Sequence, residues 1–231
     1  MARSPEDDLR HAGARIEEWV FAAWRSGDPD VGTSGALGVL SGHRIIGRTA
    51  WYWAALARSD RPLLHVLDAE VPVRSDPFVI KGEAMWAEHV CDAPLEQWTI
   101  GNETYAAGLT DPDDALDRAY GIPTPVAFDL EWYAVAAPDD LPLEDGEGGE
   151  DGYEQAGVVH GAIEILGEDP VELVEVPARR WHRWTSADRL SPLVVPEANA
   201  HLGARAPFRF PDGSVLDWVV TPDGWRNRAS R

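Results

Sequence analysis

Arg180-Trp181-His182-Arg183-Trp184 sets one imidazole among two guanidiniums and two indoles. On a β-strand, successive side chains take opposite faces. Arg180, His182 and Trp184 would then share one face, and Trp181 and Arg183 the other. An imidazole titrates near neutrality and can give or take a proton. Arg180 beside it would favour the neutral ring by like-charge repulsion. Trp184 could stabilise a cationic intermediate through its π face. These three residues are the candidate catalytic set.

Other candidates lie on separate strand-like runs. Trp51 and Trp53 alternate onto one face of their run. With Trp98, Trp132 and Phe208 they are candidate walls of an apolar cavity. Asp129 and Glu131 share a face between Phe128, Leu130 and Trp132. In a closed pocket, one of these carboxyls could stay protonated and serve as an acid. His89 and Cys91 also share a strand face and suggest a metal check, but no second ligand pair stands nearby in the sequence. No metal and no cofactor is therefore expected. The sequence contains no nucleotide-binding glycine fingerprint, phosphate-cradling loop, paired-histidine zinc signature or nucleophile elbow.

The elements that must position these groups read as mainly β. Turn signals such as Ser59-Asp60-Arg61-Pro62 and Phe210-Pro211-Asp212-Gly213 separate many short runs with a period of two. Strands are predicted over 36–40, 44–57, 63–71, 78–81, 84–91, 96–108 and 126–136. A second set covers 153–166, 171–177, 180–185, 205–210 and 214–220. This number of short strands predicts an antiparallel barrel or sandwich. Residues 5–26 predict an N-terminal helix: Ser4 can cap it, Pro5 suits its first turn, and Leu9, Ala12, Ile16, Trp19, Val20 and Ala23 fall at helical spacing. Asp111-Pro112-Asp113-Asp114 opens a short helix over 111–120. The division predicted is a helix over 1–30, a first β region over 31–138, an acidic linker or loop over 139–152 and a second β region over 153–231.

Composition narrows the partners. The 231 residues carry 40 acids against 20 bases, a net charge of −20. That field repels phosphate backbones, so nucleic acid is not expected as a partner. With no apolar run of spanning length, no stable membrane insertion is expected. A single cysteine, Cys91, precludes an intramolecular disulfide, and the N-terminus has no apolar signal core. A cytoplasmic location is the expectation.

Tyr153-Glu154-Gln155-Ala156-Gly157, then Gly161, then Arg180-x-His182-x-Trp184 resembles the carotenoid 1,2-hydratase (hydroxyneurosporene synthase) and AttH-like superfamily. Pro94-Leu95-Glu96-Gln97-Trp98 before a strand is similar to its first domain. The resemblance implies a divergent member with two lipocalin-like barrel or sandwich halves around an apolar ligand. It assigns Arg180, His182 and Trp184 to the family's motif. Trp181, Arg183 and Thr185 depart from that motif, and the region around Phe208 lacks the family's later tyrosine. The implied activity is a cofactor-free hydration, isomerisation or cyclisation of an isoprenoid, steroid or polyketide-like molecule. The alternative is a non-catalytic carrier or sensor of a hydrophobic ligand. An interaction protein whose tryptophans are all core is a third reading.

Overall fold

The computed structural model describes residues 3–27, 35–142, 149–193, 195–198 and 204–228. The strands are β1 (Ile16–Arg25), β2 (Leu37–Ile46), β3 (Thr49–Arg58), β4 (Leu63–Pro72), β5 (Val79–Lys81), β6 (Met85–Ala93), β7 (Gln97–Leu109), β8 (Ile122–Ala134), β9 (Asp139–Asp140), β10 (Asp151–Ile165) and β11 (Val171–Thr185). They form one antiparallel sheet in the order β4-β3-β2-β1-β11-β10-β8-β7-β6-β5, with β9 on β10. A second sheet is made of β12 (Glu197–Ala198), β15 (Gly224–Arg228), β14 (Val215–Thr221) and β13 (Arg205–Arg209). The central part of the acidic stretch, 143–148, lies outside the described residues.

The predicted N-terminal helix is not formed. Pro5–Asp8 makes a single 3-10 turn, and Ile16–Arg25 is a strand between β2 and β11. The helical spacing was misleading because nearly every residue from Ile16 to Ala23 is apolar and all are buried, so any period fits. Trp19, Val20 and Phe21 favour a pleated strand with both faces covered. The predicted 44–57 strand breaks at a hairpin between β2 and β3, where Gly47 takes φ 61°. The runs 171–177 and 180–185 are one strand, β11. The short helix expected over 111–120 is a 3-10 turn, Pro112–Leu116, with Asp111 accepting from the Asp113 amide at its start.

The main sheet curls without becoming a closed barrel. Its two arms meet where β4 pairs with β7, at Leu63↔Leu109, Leu64↔Gly108 and His65↔Ala107 only. The inner face buries Trp19, Phe21, Tyr52, Trp98, Trp132 and Leu130. The outer face of β1–β3 carries Val20, Leu40, Trp51 and Trp53, and packs against Phe208, Phe210, Trp218 and Trp225 around the second sheet. No described helix is long and apolar enough to cross a membrane.

Two glycines of the Tyr153–Gly161 run have steric explanations. A Cβ on Gly157 would lie 2.3 Å from the Trp132 ring, so the indole can lie flat on β10 only above a glycine. Gly161 has φ 133° at a bulge, and a Cβ there would lie 2.1 Å from the Asp129 carbonyl.

Glu18 holds the layers together electrostatically. Its carboxylate accepts from Arg44 Nε at 2.7 Å and from Arg183 Nε at 3.1 Å, with all three residues buried. Burial alone would raise its pKa, but the two guanidiniums outweigh it and lower it to about 2 from an ordinary 4.5. Its stabilisation is therefore complete above the unfolded value and is lost as pH falls toward 2. Glu18→Gln leaves two buried cations without a counter-charge and should cost about 3–5 kcal/mol. Urea unfolding should show that loss at pH 7, and the gap to wild type should narrow on acidification below about 4.5.

Candidate functional site

β11 delivers its alternating residues as expected: Arg180, His182 and Trp184 point to the inner side, and Trp181 and Arg183 to the outer one. Cross-strand register does the rest. His182 is opposite Trp19 on β1 and Tyr153 on β10, while Glu17 is opposite Trp184.

The His182 ring is completely buried. Its Nε2 lies 3.0 Å from Glu17 Oε1, which also meets His11 Nδ1 at 2.8 Å. The His11 ring stacks on Trp184 at 3.8 Å. Burial would raise the Glu17 pKa, but the hydrogen bonds from His11 and His182 hold it below the usual carboxylate range. Burial pushes His182 below its ordinary 6.5, with Glu17 opposing. His182 is thus neutral near pH 7. Because an ionised carboxylate only accepts, the His182 proton sits on Nε2. Nδ1 then carries a lone pair, and that atom is buried without a hydrogen-bond partner among the described residues. A carboxylate fixing one imidazole nitrogen so that the other is a free base is the general design of an acid–base dyad.

The dyad continues into a stack of rings. Trp19 lies between His182, at 4.5 Å, and His43, at 4.7 Å. His43 Nδ1 is 2.8 Å from His89 Nδ1, and His89 Nε2 is 2.8 Å from Ser41 Oγ. Tyr52 OH accepts from Asn102 Nδ2 at 2.6 Å. Burial, with the neighbouring His182, lowers His43 to about 3. Trp19 Nε1, His43 Nε2 and Asn102 Oδ1 are likewise buried without a partner among the described residues, a concentration of open polar atoms in one core.

Arg180 is buried beside the dyad in a different role. It pairs with Asp8, and its guanidinium lies over Trp132 at 4.8 Å and Trp98 at 5.6 Å. The structure therefore gathers Arg180, His182, Trp98 and Trp132 on the inner side. Trp51, Trp53 and Phe208 belong to the outer layer. There Trp53, Arg44, Arg183 and Phe210 border a cleft of about 170 Å³ between the sheets. Asp129 and Glu131 stand exposed on β8, where Glu131 accepts from Tyr133 OH at 2.8 Å. They are on neither side of the dyad. His89 and Cys91 do share a face, and His89 is bound into the ring network described above.

Sequence reasoning missed Asp8, His11, Glu17, His43 and Asn102. The available signal was Glu17-Glu18 inside the run Ile16–Ala23, since adjacent acids in an apolar strand must each find a buried partner. A cation could be held by His11 Nδ1, Glu17 and His182 Nε2, whose ligand atoms all lie within 4.8 Å of one another. Two imidazoles and a carboxylate suit a divalent transition metal.

Residues 4–189 match the family described as Domain of unknown function (DUF7064). The chain belongs to that family. No curated protein matches it. Among solved structures, a candidate AttH from Nitrosomonas europaea is similar at 18% identity and TM-score 0.48, covering 96% of this chain and 73% of that one. Kievitone hydratase from Nectria haematococca is similar at 10% identity and TM-score 0.45, covering 94% of this chain and 68% of that one.

The tautomer of His182 can be read directly. Long-range ¹⁵N–¹H correlation of the imidazole should show a neutral ring protonated at Nε2 at pH 7. Glu17→Gln, whose amide can donate as well as accept, should introduce the Nδ1–H form. A His182 signal typical of imidazolium at pH 7 would overturn the dyad assignment.

Proposed function

We propose that the protein binds an apolar small molecule and transfers a proton on it, with hydration or isomerisation of a carbon–carbon double bond as the reaction class. The observation that carries the reading is the buried, partner-free Nδ1 of His182 opposite the nitrogen held by Glu17. Trp19, Trp98 and Trp132 supply an aromatic surround that would orient an apolar substrate and exclude bulk water.

In the hydration direction, on a double bond conjugated with a carbonyl, Nδ1 takes a proton from water as its oxygen bonds to the far alkene carbon and the displaced electron pair moves onto the carbonyl oxygen. The imidazolium formed returns that proton to the neighbouring carbon, so water is added and no electrons are exchanged. Glu17 stabilises the transient imidazolium. In the isomerisation direction, the same nitrogen removes a proton from one carbon and returns it to another. Neither route needs a redox cofactor. The kievitone hydratase noted above acts in the same broad class by its name, and the sequence resemblance to the carotenoid hydratase superfamily supports an isoprenoid-like body for the ligand.

The test is deuterium incorporation. The protein is incubated in heavy water with a panel of prenylated phenols, polyenes and unsaturated sterols, and masses are followed. At least one member should gain deuterium or heavy water, and His182→Ala should slow this by about 10²–10⁴-fold. Undiminished exchange in His182→Ala would remove His182 from the chemistry. Quenching of tryptophan fluorescence by a panel member with no mass change would favour a carrier over an enzyme.

A further inference from the structure

The Asp8 carboxylate is bound as a ligand would be. Oδ1 accepts from Arg180 Nη1 at 2.5 Å and Tyr153 OH at 2.5 Å. Oδ2 accepts from Arg180 Nη2 at 3.1 Å, Trp98 Nε1 at 3.0 Å and the Leu95 amide at 2.5 Å. A forked guanidinium, a phenol, an indole and a backbone amide converge on one fully buried carboxylate. None of these donors neighbours Asp8 in sequence; they come from β7, β10, β11 and the turn before β7.

The receiving side is braced independently of Asp8. Gln155 Oε1 accepts from Arg180 Nε at 3.1 Å and Nη2 at 2.7 Å. Gln155 Nε2 in turn donates to the Leu95 carbonyl at 2.9 Å. Leu95 holds φ 62°, a left-handed backbone rarely taken by a branched residue, and this strained turn presents its amide to the carboxylate. Trp132 and Trp98 flank the guanidinium.

The segment that supplies Asp8 is held very differently. Between Arg3 and Arg15, Asp8 is the single buried residue, and Leu9 is 43% exposed. No apolar side chain of this strap is buried. Its other ties are polar or part-exposed, among them Arg3 to Asp151, Asp140 and the Tyr153 and Trp184 rings, His11 to Glu17 and Trp184, and the Arg15 amide to the Thr185 carbonyl. A strap lacking apolar anchorage is open to competition from a ligand that brings both a carboxylate and an apolar body.

We infer that the Arg180 socket is a receptor for the carboxylate of a small-molecule ligand, closed in this structure by the protein's own Asp8 and opened when residues 3–15 lift. Lifting the strap also removes His11 from Glu17 and from beside the His182 ring, 5.5 Å away, and so uncovers the dyad, whose His182 ring lies 5.6 Å from the socket's Tyr153 ring. A ligand carboxylate in the socket would set the adjoining carbons beside His182. That last consequence rests on the proposed proton-transfer reading; carboxylate binding does not.

Two binding measurements on the full chain test the socket without an activity assay. Asp8→Ala should lose thermal stability, and acetate should restore it with a saturable dose response that sodium chloride at equal ionic strength does not reproduce. Wild type should respond to acetate at least tenfold more weakly. In wild type, hexanoate should increase amide hydrogen exchange over residues 3–15, and hexanol should not. Equal responses of Asp8→Ala to acetate and chloride would overturn the receptor. Unchanged or lower exchange over 3–15 with saturating hexanoate would overturn the lifting strap. If Asp8→Ala does not fold, the exchange experiment decides alone. Carboxylate binding with no deuterium incorporation into any panel member would leave the socket standing and count against the catalytic reading.

Discussion

Burying β1 on both faces is the constraint from which most of this architecture follows. A strand with carboxylates at Glu17 and Glu18 cannot be enclosed unless each finds compensation in a low dielectric. Alternation sends the two acids to opposite sides. Glu18 meets Arg44 and Arg183 on the outer face, under the second sheet. Glu17 meets His182 and His11 on the inner face. The neighbouring strands β2 and β11 therefore supply Arg44 and Arg183 to the outer face, and β11 supplies His182 to the inner one, where Arg180 answers the further buried acid Asp8. The unusual Arg180–Trp184 sequence is what that demand looks like when written along β11.

The inner and outer charge clusters differ in what they leave open. On the outer side, a carboxylate faces two guanidiniums, and the polar atoms of that triad are satisfied. On the inner side, Glu17 satisfies one nitrogen of His182 and leaves the other exposed to the core. A fully satisfied ion pair stabilises; a half-satisfied imidazole in an aromatic setting is what the proposed proton transfer would use. On that proposal, the two faces of one strand separate structural from chemical work.

Much of the inner site was legible because strand alternation is local. Arg180, His182 and Trp184 could be assigned to one face from five residues, and the β-rich class could be assigned from turn spacing. Pairing between distant strands was not legible. Alternation places Trp51 and Trp53 together, but does not say that their face meets Phe208 and Phe210 while Trp98 and Trp132 meet Arg180. Asp129 and Glu131 share a face as expected, and only sheet curvature decides that this face meets solvent. The helix assigned to 5–26 hid Asp8, His11 and Glu17 together, since acids near a helix start have a ready explanation in the helix dipole. An uninterrupted apolar run erases the difference between periods of two and 3.6, and there β-branched and aromatic content is the better guide.

The position of β1 also has a consequence for how the chain is made. β1 is synthesised well before one of its two partners, β11, which begins only at Val171. Its hairpin with β2 and β3 can assemble early, with one hydrogen-bonding edge and much of its apolar surface still uncovered. Completion waits for β11, a long-range pairing of the kind that slows folding and prolongs exposure to self-association. Adjacent negative charges near the start of that waiting edge oppose pairing with another copy of itself, so the acids that complicate the finished core also guard the unfinished one.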